Sequence, residues 1–529
     1  MCANIKTLKI VAVFILSSIT ISESANILFL LPIATKSHLN IFNSVILGLA
    51  ERDHNITVVA PLKLKTPLKN VREISPVPFD IVNPGFSGSD PFERRKEGKI
   101  GAFLSWNLTF IEVASDMLYR NEEIKELIKT GTGSFDLVVV NAFMNHFVLG
   151  IVHKMQAPHM YVATMPALNA QVEKFGLYFP PSFVPCSFAA FSDRMNFKER
   201  VVNFVAEHFI TVATQLSWVP YLSKLYQDHL GSDVPNTYEI DKNVSLLLMN
   251  SHFSLTYPRP LMPDVVEVGG LHTRPSKPLP NDLDEFLSGA KDGFILFSLG
   301  SIVQPKDMPV ATSKMFLNVF SKLKQRVIWK WDGDFPGEVP ANVKLAKWLP
   351  QQDILGHPNI KIFITHGGLL STQEAVFHGV PLIGFPFFAD QDLNIIQAEK
   401  AGFALSLEIN EFTEETLENA INKIITDDSY SKRVKQLSAV FRDRPMSPLE
   451  TAIYWIEYII KYKGAPHLRS AGRDLSFSAY HSIDVISFLV VCLVIISYVF
   501  MKLLQLLMWC IWKLCLGGSK KDVNKLKTN

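Results

Sequence analysis

The chain has 529 residues, 48% of them hydrophobic, with a mean hydropathy of +0.17 and a formal charge of +2. That length corresponds to about two to four domains. Its 27 glycines, 31 prolines and 19% charged residues are near ordinary usage, which excludes collagen-like, low-complexity and disordered chains.

Residues 1–24 place Lys6 and Lys9 before an apolar run at 10–21, followed by Ser22 and Ser24. This is the layout of a cleavable secretory leader, so the mature chain is expected to begin near Ala25. Strand-like runs at 27–31, 56–60 and 137–140 alternate with helical spacing at 39–50 and 145–154, an order that predicts a parallel α/β sheet. Between 196 and 229, Phe197, Val201, Phe204, Val205 and Phe209 recur at helical spacing. The expectation is a helix that faces the core, with a helix in a membrane interface as the alternative. The Pro-rich, polar stretch 274–286 is the best linker in the chain. Beyond it the alternation resumes, with strands at 293–299, 326–330, 361–365 and 381–385 and helices at 311–323 and 370–377. Two Rossmann-like domains are therefore expected, at 25–273 and 287–450, followed by a C-terminal helix and juxtamembrane segment at 451–482.

Residues 485–501 carry no charge, and the apolar character resumes after Lys502 to Trp512. A membrane span within 483–512, with Lys502 snorkelling, is expected. The tail 513–529 is Lys-rich with a net charge of +4, the leader carries +1, and residues 25–482 hold −3. The tail is then cytosolic and the folded part luminal, and the folded part has no basic footprint for nucleic acid. Lys525 and Lys527 have the spacing of a dilysine retrieval signal, which points to the endoplasmic reticulum membrane and single-pass type I topology. Cys186 is the one cysteine between the leader and the membrane stretch, so the luminal part has no partner for an intrachain disulfide. Sequons at Asn55, Asn107 and Asn243 are compatible with luminal exposure.

The densest chemical signal runs from Trp348 to Gln391. A buried strand at 362–365 leads into His366-Gly367-Gly368, and a helix begins there. Free backbone N–H groups and the helix dipole converge at such a turn, and glycine lets an anion come close. His366 can donate a hydrogen bond to that anion. Trp348 and Gln351 before the strand, Glu374 on the helix and Asp390-Gln391 after the next strand could hold a base, a ribose and a sugar.

This stretch strongly resembles the signature of the UDP-glycosyltransferases, which include the UDP-glucuronosyltransferases, and THGGLLSTQEA is most similar to the insect members. The resemblance covers nearly the whole chain and implies a GT-B fold: two Rossmann-like domains facing a cleft, plus a C-terminal membrane helix. It implies that Trp348 stacks on uracil, Gln351 bonds the uracil edge, and Ser301 and His366, at the Gly367-Gly368 turn, contact the diphosphate. Glu374 would bind ribose hydroxyls, and Asp390 and Gln391 the sugar. Many relatives carry Asn-Gly where this chain has Leu370-Ser371, so an Asn contact to phosphate is absent and Ser371 offers a hydroxyl instead. The resemblance also places a catalytic base at His38, beyond the first strand, where a neutral imidazole suits removal of a hydroxyl proton.

The partner expected behind that histidine is Asp, whereas this chain has Asn141. Asn can orient a ring but carries no charge to offset an imidazolium. Three readings stay open: activity on acidic acceptors, help from another carboxylate, or a weakened enzyme. The implied reaction is inverting, metal-independent transfer of a hexose from a UDP-sugar to a small lipophilic acceptor, with no cofactor beyond the donor. Arg259 falls where a glucuronate carboxylate would be read, yet glucose is favoured. Phe103, Trp106, Phe143 and Phe179 are pocket candidates by composition. A homo- or hetero-oligomer remains open, and a catalytically silent, ligand-binding family member is the alternative because of Asn141. A nicotinamide oxidoreductase would need G-x-G-x-x-G, and the chain has none.

Overall fold

The computed structural model describes residues 24–82, 90–97, 109–301, 303 and 307–525, with side chains to Cys515. The leader up to residue 23, Phe103, Trp106, the Asn107 sequon and Lys527 lie outside the described residues.

Seven parallel strands form the N-terminal sheet: β1 (Asn26–Leu30), β2 (Asn55–Val59), β3 (Val71–Ile74), β4 (Leu137–Asn141), β5 (His159–Ala163), β6 (Leu247–Met249) and β7 (Val265–Glu267), in the order β3-β2-β1-β4-β5-β6-β7. Six more form the second: β8 (Phe294–Ser298), β9 (Arg326–Lys330), β10 (Val343–Ala346), β11 (Ile360–Thr365), β12 (Leu382–Gly384) and β13 (Ala404–Ser406), in the order β10-β9-β8-β11-β12-β13. Both sheets are covered on both faces. Leu28 and Leu30 pack into one core layer, Ile27 and Phe29 into the other, which is why β1 and β4 read as unbroken apolar runs. Strand order reverses between β1 and β4 and between β8 and β11, and a crevice opens at the carboxyl ends of strands at such points. His38 lies just beyond β1, Asn141 ends β4, Ser301 follows β8 and His366 follows β11.

One expectation is corrected, and two further segments show how they pack. The helix Phe197–Ala213 turns its apolar face outward: Phe197 is 74% exposed, and Val201, Phe204, Val205 and Phe209 are exposed too. It is anchored by polar groups instead, since buried Asn203 bonds Cys186 N and the carbonyls of Pro181 and Val184, and buried Glu207 accepts from Asn169. The stretch 274–286 is less a free linker than a strap. Arg274 pairs with Asp353 at 2.6 Å, and the helix Asn281–Ser288 sends Leu283 and Leu287 into the second domain's core. The helix Pro448–Lys461 returns to the first domain, packing Ala452, Ile453, Ile456 and Ile459 with Ile41, Phe42 and Val45 of the helix Lys36–Ala50. Gly48 permits that approach, because a Cβ there would lie 2.6 Å from Ile453 Cδ1.

Residues from Ser470 onward form a separate unit. Its helix Ile483–Lys525 is continuous, with no break at Lys502. The portion Ile483–Cys515 is long and apolar enough to cross a membrane, about 50 Å at 1.5 Å per residue.

Candidate active site

At the end of β11 the chain turns through His366-Gly367-Gly368 into the helix Leu369–His378, whose N-cap is Gly368. Gly367 sits at φ +81°, and a Cβ there would collide with Ile395 of the helix Gln391–Lys400. Gly300, at φ +80°, and Gly368 leave room for the His366 ring, which a Cβ at either would approach to 2.5 Å. Burial, with Lys330 beside it, pushes His366 down to about 4, so the ring is neutral. Lys330 Nζ donates to Gly300 O at 2.6 Å, and burial together with Lys36 lowers its basicity. Sequence reasoning missed Lys330, because a lone Lys ending β9 carries no motif. With Lys330 and the first N–H groups of the helix, the turn has the charge and donors an anion needs. Ser301 is half-buried beside Gly300.

Three predicted residues come together one turn along. Gln351 Nε2 donates to Ser371 Oγ at 3.0 Å and to Glu374 Oε2 at 2.6 Å. Burial pushes the Glu374 carboxyl up to about 7 against the pull of Gln351 and Arg274. His272, also missed, lies 3.5 Å from Glu374 Oε1 and 3.1 Å from Leu370 O, and burial holds it neutral, at about 4. Trp348 is 65% exposed, with Lys65 of the first domain 5.8 Å from its ring centroid.

The Asp390-Gln391 corner follows Ala389 at φ +58°, a left-handed conformation that costs about 1 kcal/mol outside glycine. Asp390 accepts from Asn394 Nδ2 at 2.8 Å, and burial raises its pKa. Gln391 spends its amide oxygen on Phe387 N and Phe388 N, at 2.8 and 3.2 Å. Asp390-Gln391-Asp392 is an Asp-x-Asp triplet, so metal independence does not follow from the sequence. Its carboxylates are engaged separately: Asp392 receives Arg95 Nη1 and Nη2 at 2.7 and 3.0 Å. Arg95 comes from the first domain's helix Pro91–Lys96 and also holds Glu408 at 2.6 Å.

Two candidates are not brought to this cluster. Arg259 donates to Thr256 O, lies 5.2 Å from the Phe179 ring centroid and faces Glu267 and Glu207. Phe179 is itself a core residue rather than a pocket wall.

Across the crevice, His38 stands in the first turn of the helix Lys36–Ala50, and its backbone N–H donates to the N-cap Thr35 Oγ1 at 3.3 Å. Burial lowers its basicity to about 4, and Phe143 meets it edge-on at 5.6 Å. Asn141 Nδ2 reaches His38 Nδ1 at 3.4 Å.

A family model described as "UDP-glucoronosyl and UDP-glucosyl transferase" matches residues 27–521. The chain belongs to this family. It is 33% identical over 518 residues to "UDP-glycosyltransferase UGT5" of Dactylopius coccus, covering 97% of this chain and 98% of that one. It is 35% identical to "UDP-glucosyltransferase 2" of the same insect over 96% and 97% of the two chains, and 38% identical to human "UDP-glucuronosyltransferase 2B15" over 65% and 64%. Among solved structures, "Spinosyn Forosaminyltransferase SpnP" superposes with a TM-score of 0.55 at 15% identity, covering 83% of this chain and all of that one. "CalG4, the Calicheamicin Glycosyltransferase" superposes at 0.53 and 16% identity, over 83% and 98%. This UDP-glycosyltransferase has the GT-B architecture and transfers a sugar from a UDP-linked donor, as the resemblance implied.

Proposed function

We propose that the enzyme transfers a hexose, glucose in preference to glucuronate, to an oxygen of small lipophilic acceptors, with inversion at the anomeric carbon. The observation that carries this reading is the joined cluster Gln351–Ser371–Glu374 beside the glycine turn at His366. There Trp348 would take the uracil face, Gln351 its edge and Glu374 the ribose hydroxyls. The diphosphate would sit on the helix N-terminus with His366, Ser301 and Lys330, and Asp390 and Gln391 would hold the hexose. The leaving UDP gains negative charge as the anomeric bond breaks, and Lys330, His366 and the helix N–H groups supply stabilisation without a metal. Because the Arg259 charge already faces Glu267 and Glu207, a neutral hexose is favoured over one bearing a carboxylate. His38 and Phe143 would face the acceptor. The helix Ile483–Lys525 anchors the enzyme in the endoplasmic reticulum membrane on this reading, with both sheets luminal.

The test is UDP release in permeabilised microsomes with UDP-glucose and UDP-glucuronate against a panel of phenols and carboxylic acids. Turnover with UDP-glucose is expected to exceed that with UDP-glucuronate at least about tenfold. The reverse order overturns the choice of glucose, and no release with either donor overturns the transfer reading.

A further inference from the structure

The amide of Asn141 is held in one orientation. Its Oδ1 accepts the Phe143 N–H at 3.1 Å, and its Nδ2 donates to Ile33 O at 3.1 Å. Ile33 O also receives Asn145 Nδ2 at 2.8 Å, while Asn145 Oδ1 accepts Ile33 N at 2.9 Å, so this carbonyl is fixed in place. Turning the Asn141 amide over would set its NH2 against the Phe143 N–H and its oxygen against the Ile33 carbonyl, replacing two attractions by two repulsions. Nδ2 lies 3.4 Å from His38 Nδ1, within reach of its remaining hydrogen. An amide NH2 can only donate, so Nδ1 must accept, and the ring proton resides on Nε2. An aspartate at position 141 would do the opposite, accepting Nδ1–H and leaving Nε2 a lone pair.

We infer that His38 serves this enzyme as a hydrogen-bond donor through Nε2–H rather than as a base, and that the acceptors are oxygen acids that arrive ionised: carboxylates and acidic phenolates. This rests on the transfer reading above. An imidazole already protonated on Nε2 has no lone pair there for a hydroxyl proton. Adding a proton at Nδ1 would face the Asn141 NH2 donor-to-donor, so the imidazolium is disfavoured as well. Burial, which lowers the basicity of His38, works in the same direction. An anionic oxygen needs no base. It attacks the anomeric carbon, the bond from that carbon to the UDP oxygen breaks, and UDP leaves with the electron pair. No proton changes hands, and the negative charge of the acceptor ends on UDP. His38 Nε2–H orients the attacking oxygen without removing anything from it.

The test uses the full-length enzyme with UDP-glucose and acceptors ranging from a benzoate through phenols of pKa about 5 to about 10 to an alkanol. Wild-type kcat/KM at pH 7 is expected to fall about tenfold per unit of acceptor pKa above 7, and to rise about tenfold per pH unit up to the pKa of each phenol. The alkanol should react at least about 1,000-fold more slowly than the most acidic phenol. Asn141→Asp should flatten the dependence on acceptor pKa to less than about threefold per unit and bring the alkanol into use. Because a carboxylate at 141 would sit against the Ile33 carbonyl and could impair folding, His38→Gln gives an independent reading. Glutamine can donate but cannot act as a base, and the variant should lose less than about tenfold with ionised acceptors. Efficient wild-type turnover of the alkanol, or a loss of more than about 100-fold in His38→Gln with the benzoate, overturns the donor role and leaves the transfer reading intact. No turnover of any acceptor overturns the transfer reading itself, and the donor role with it.

Discussion

Replacing Arg95 with Met is expected to destabilise the enzyme by about 3–5 kcal/mol and to weaken its hold on the donor. Arg95 is 5% exposed and spans two carboxylates: two bonds to Asp392, and bonds from Nε and Nη2 to Glu408. Both acids belong to the second domain, whereas Arg95 belongs to the first. Phe92, one turn earlier on the same helix, packs 5.0 Å from Phe387 in the second domain's core. Removing the guanidinium leaves Asp392 buried without its counter-charge, and most of the cost lies there. Asp392 adjoins Gln391 and Asp390, so the loop proposed to hold the hexose loses its brace. A lower thermal midpoint and a higher KM for UDP-glucose should appear together. Adding Asp392→Asn should recover much of the stability, since the uncompensated charge is gone. A single variant with unchanged midpoint would show that the buried pair contributes nothing net.

Glu374→Gln is expected to move stability and function in opposite directions. The carboxyl is held near 7 by burial, against an ordinary value of 4.5. The folded state therefore keeps a proton that the unfolded chain releases above about 4.5, and stability falls as pH rises from there to about 7. Above pH 7 the full penalty, roughly 3 kcal/mol, is present in the wild type and absent in the glutamine variant. Thermal midpoints of the two should converge near pH 4.5, and by pH 8 the variant should be the more stable. Donor binding follows the opposite sense. An ionised carboxylate accepts ribose hydroxyls through charge-assisted bonds worth about 1.5–3 kcal/mol each, so the wild-type KM for UDP-glucose should drop between pH 6 and 8. In Glu374→Gln the KM should be at least about tenfold higher and flat over that range. A variant equal to wild type in KM at pH 8 would remove Glu374 from the ribose site.

The parts of this molecule legible in its sequence are those written locally. Strand 326–330 and the glycine turn at 366–368 follow from apolar runs and punctuation, and the reading of the donor stretch follows from residues within 44 positions of one another. What was not legible depends on distant partners. The helix Phe197–Ala213 has helical periodicity with either face inward. Buried Asn203 and Glu207, meeting Asn169, Pro181 and Cys186, decide that its polar side is the anchored one. Arg95 meets Asp392 and Glu408 across about 300 residues, and neither acid announces a partner in its own segment. Asn141 was visible as a departure from the expected Asp, but which end of its amide faces His38 is set by the Phe143 N–H and the Ile33 carbonyl. Its chemical meaning is a property of the packed loop.

The most direct test of the central claim is the anomeric configuration of the product made from UDP-glucose and an acidic phenol, read from the sugar's proton NMR coupling. Inverting transfer from the α-linked donor predicts a β-glucoside and one equivalent of UDP. An α-glucoside, or UDP released with free glucose and no conjugate, would contradict it.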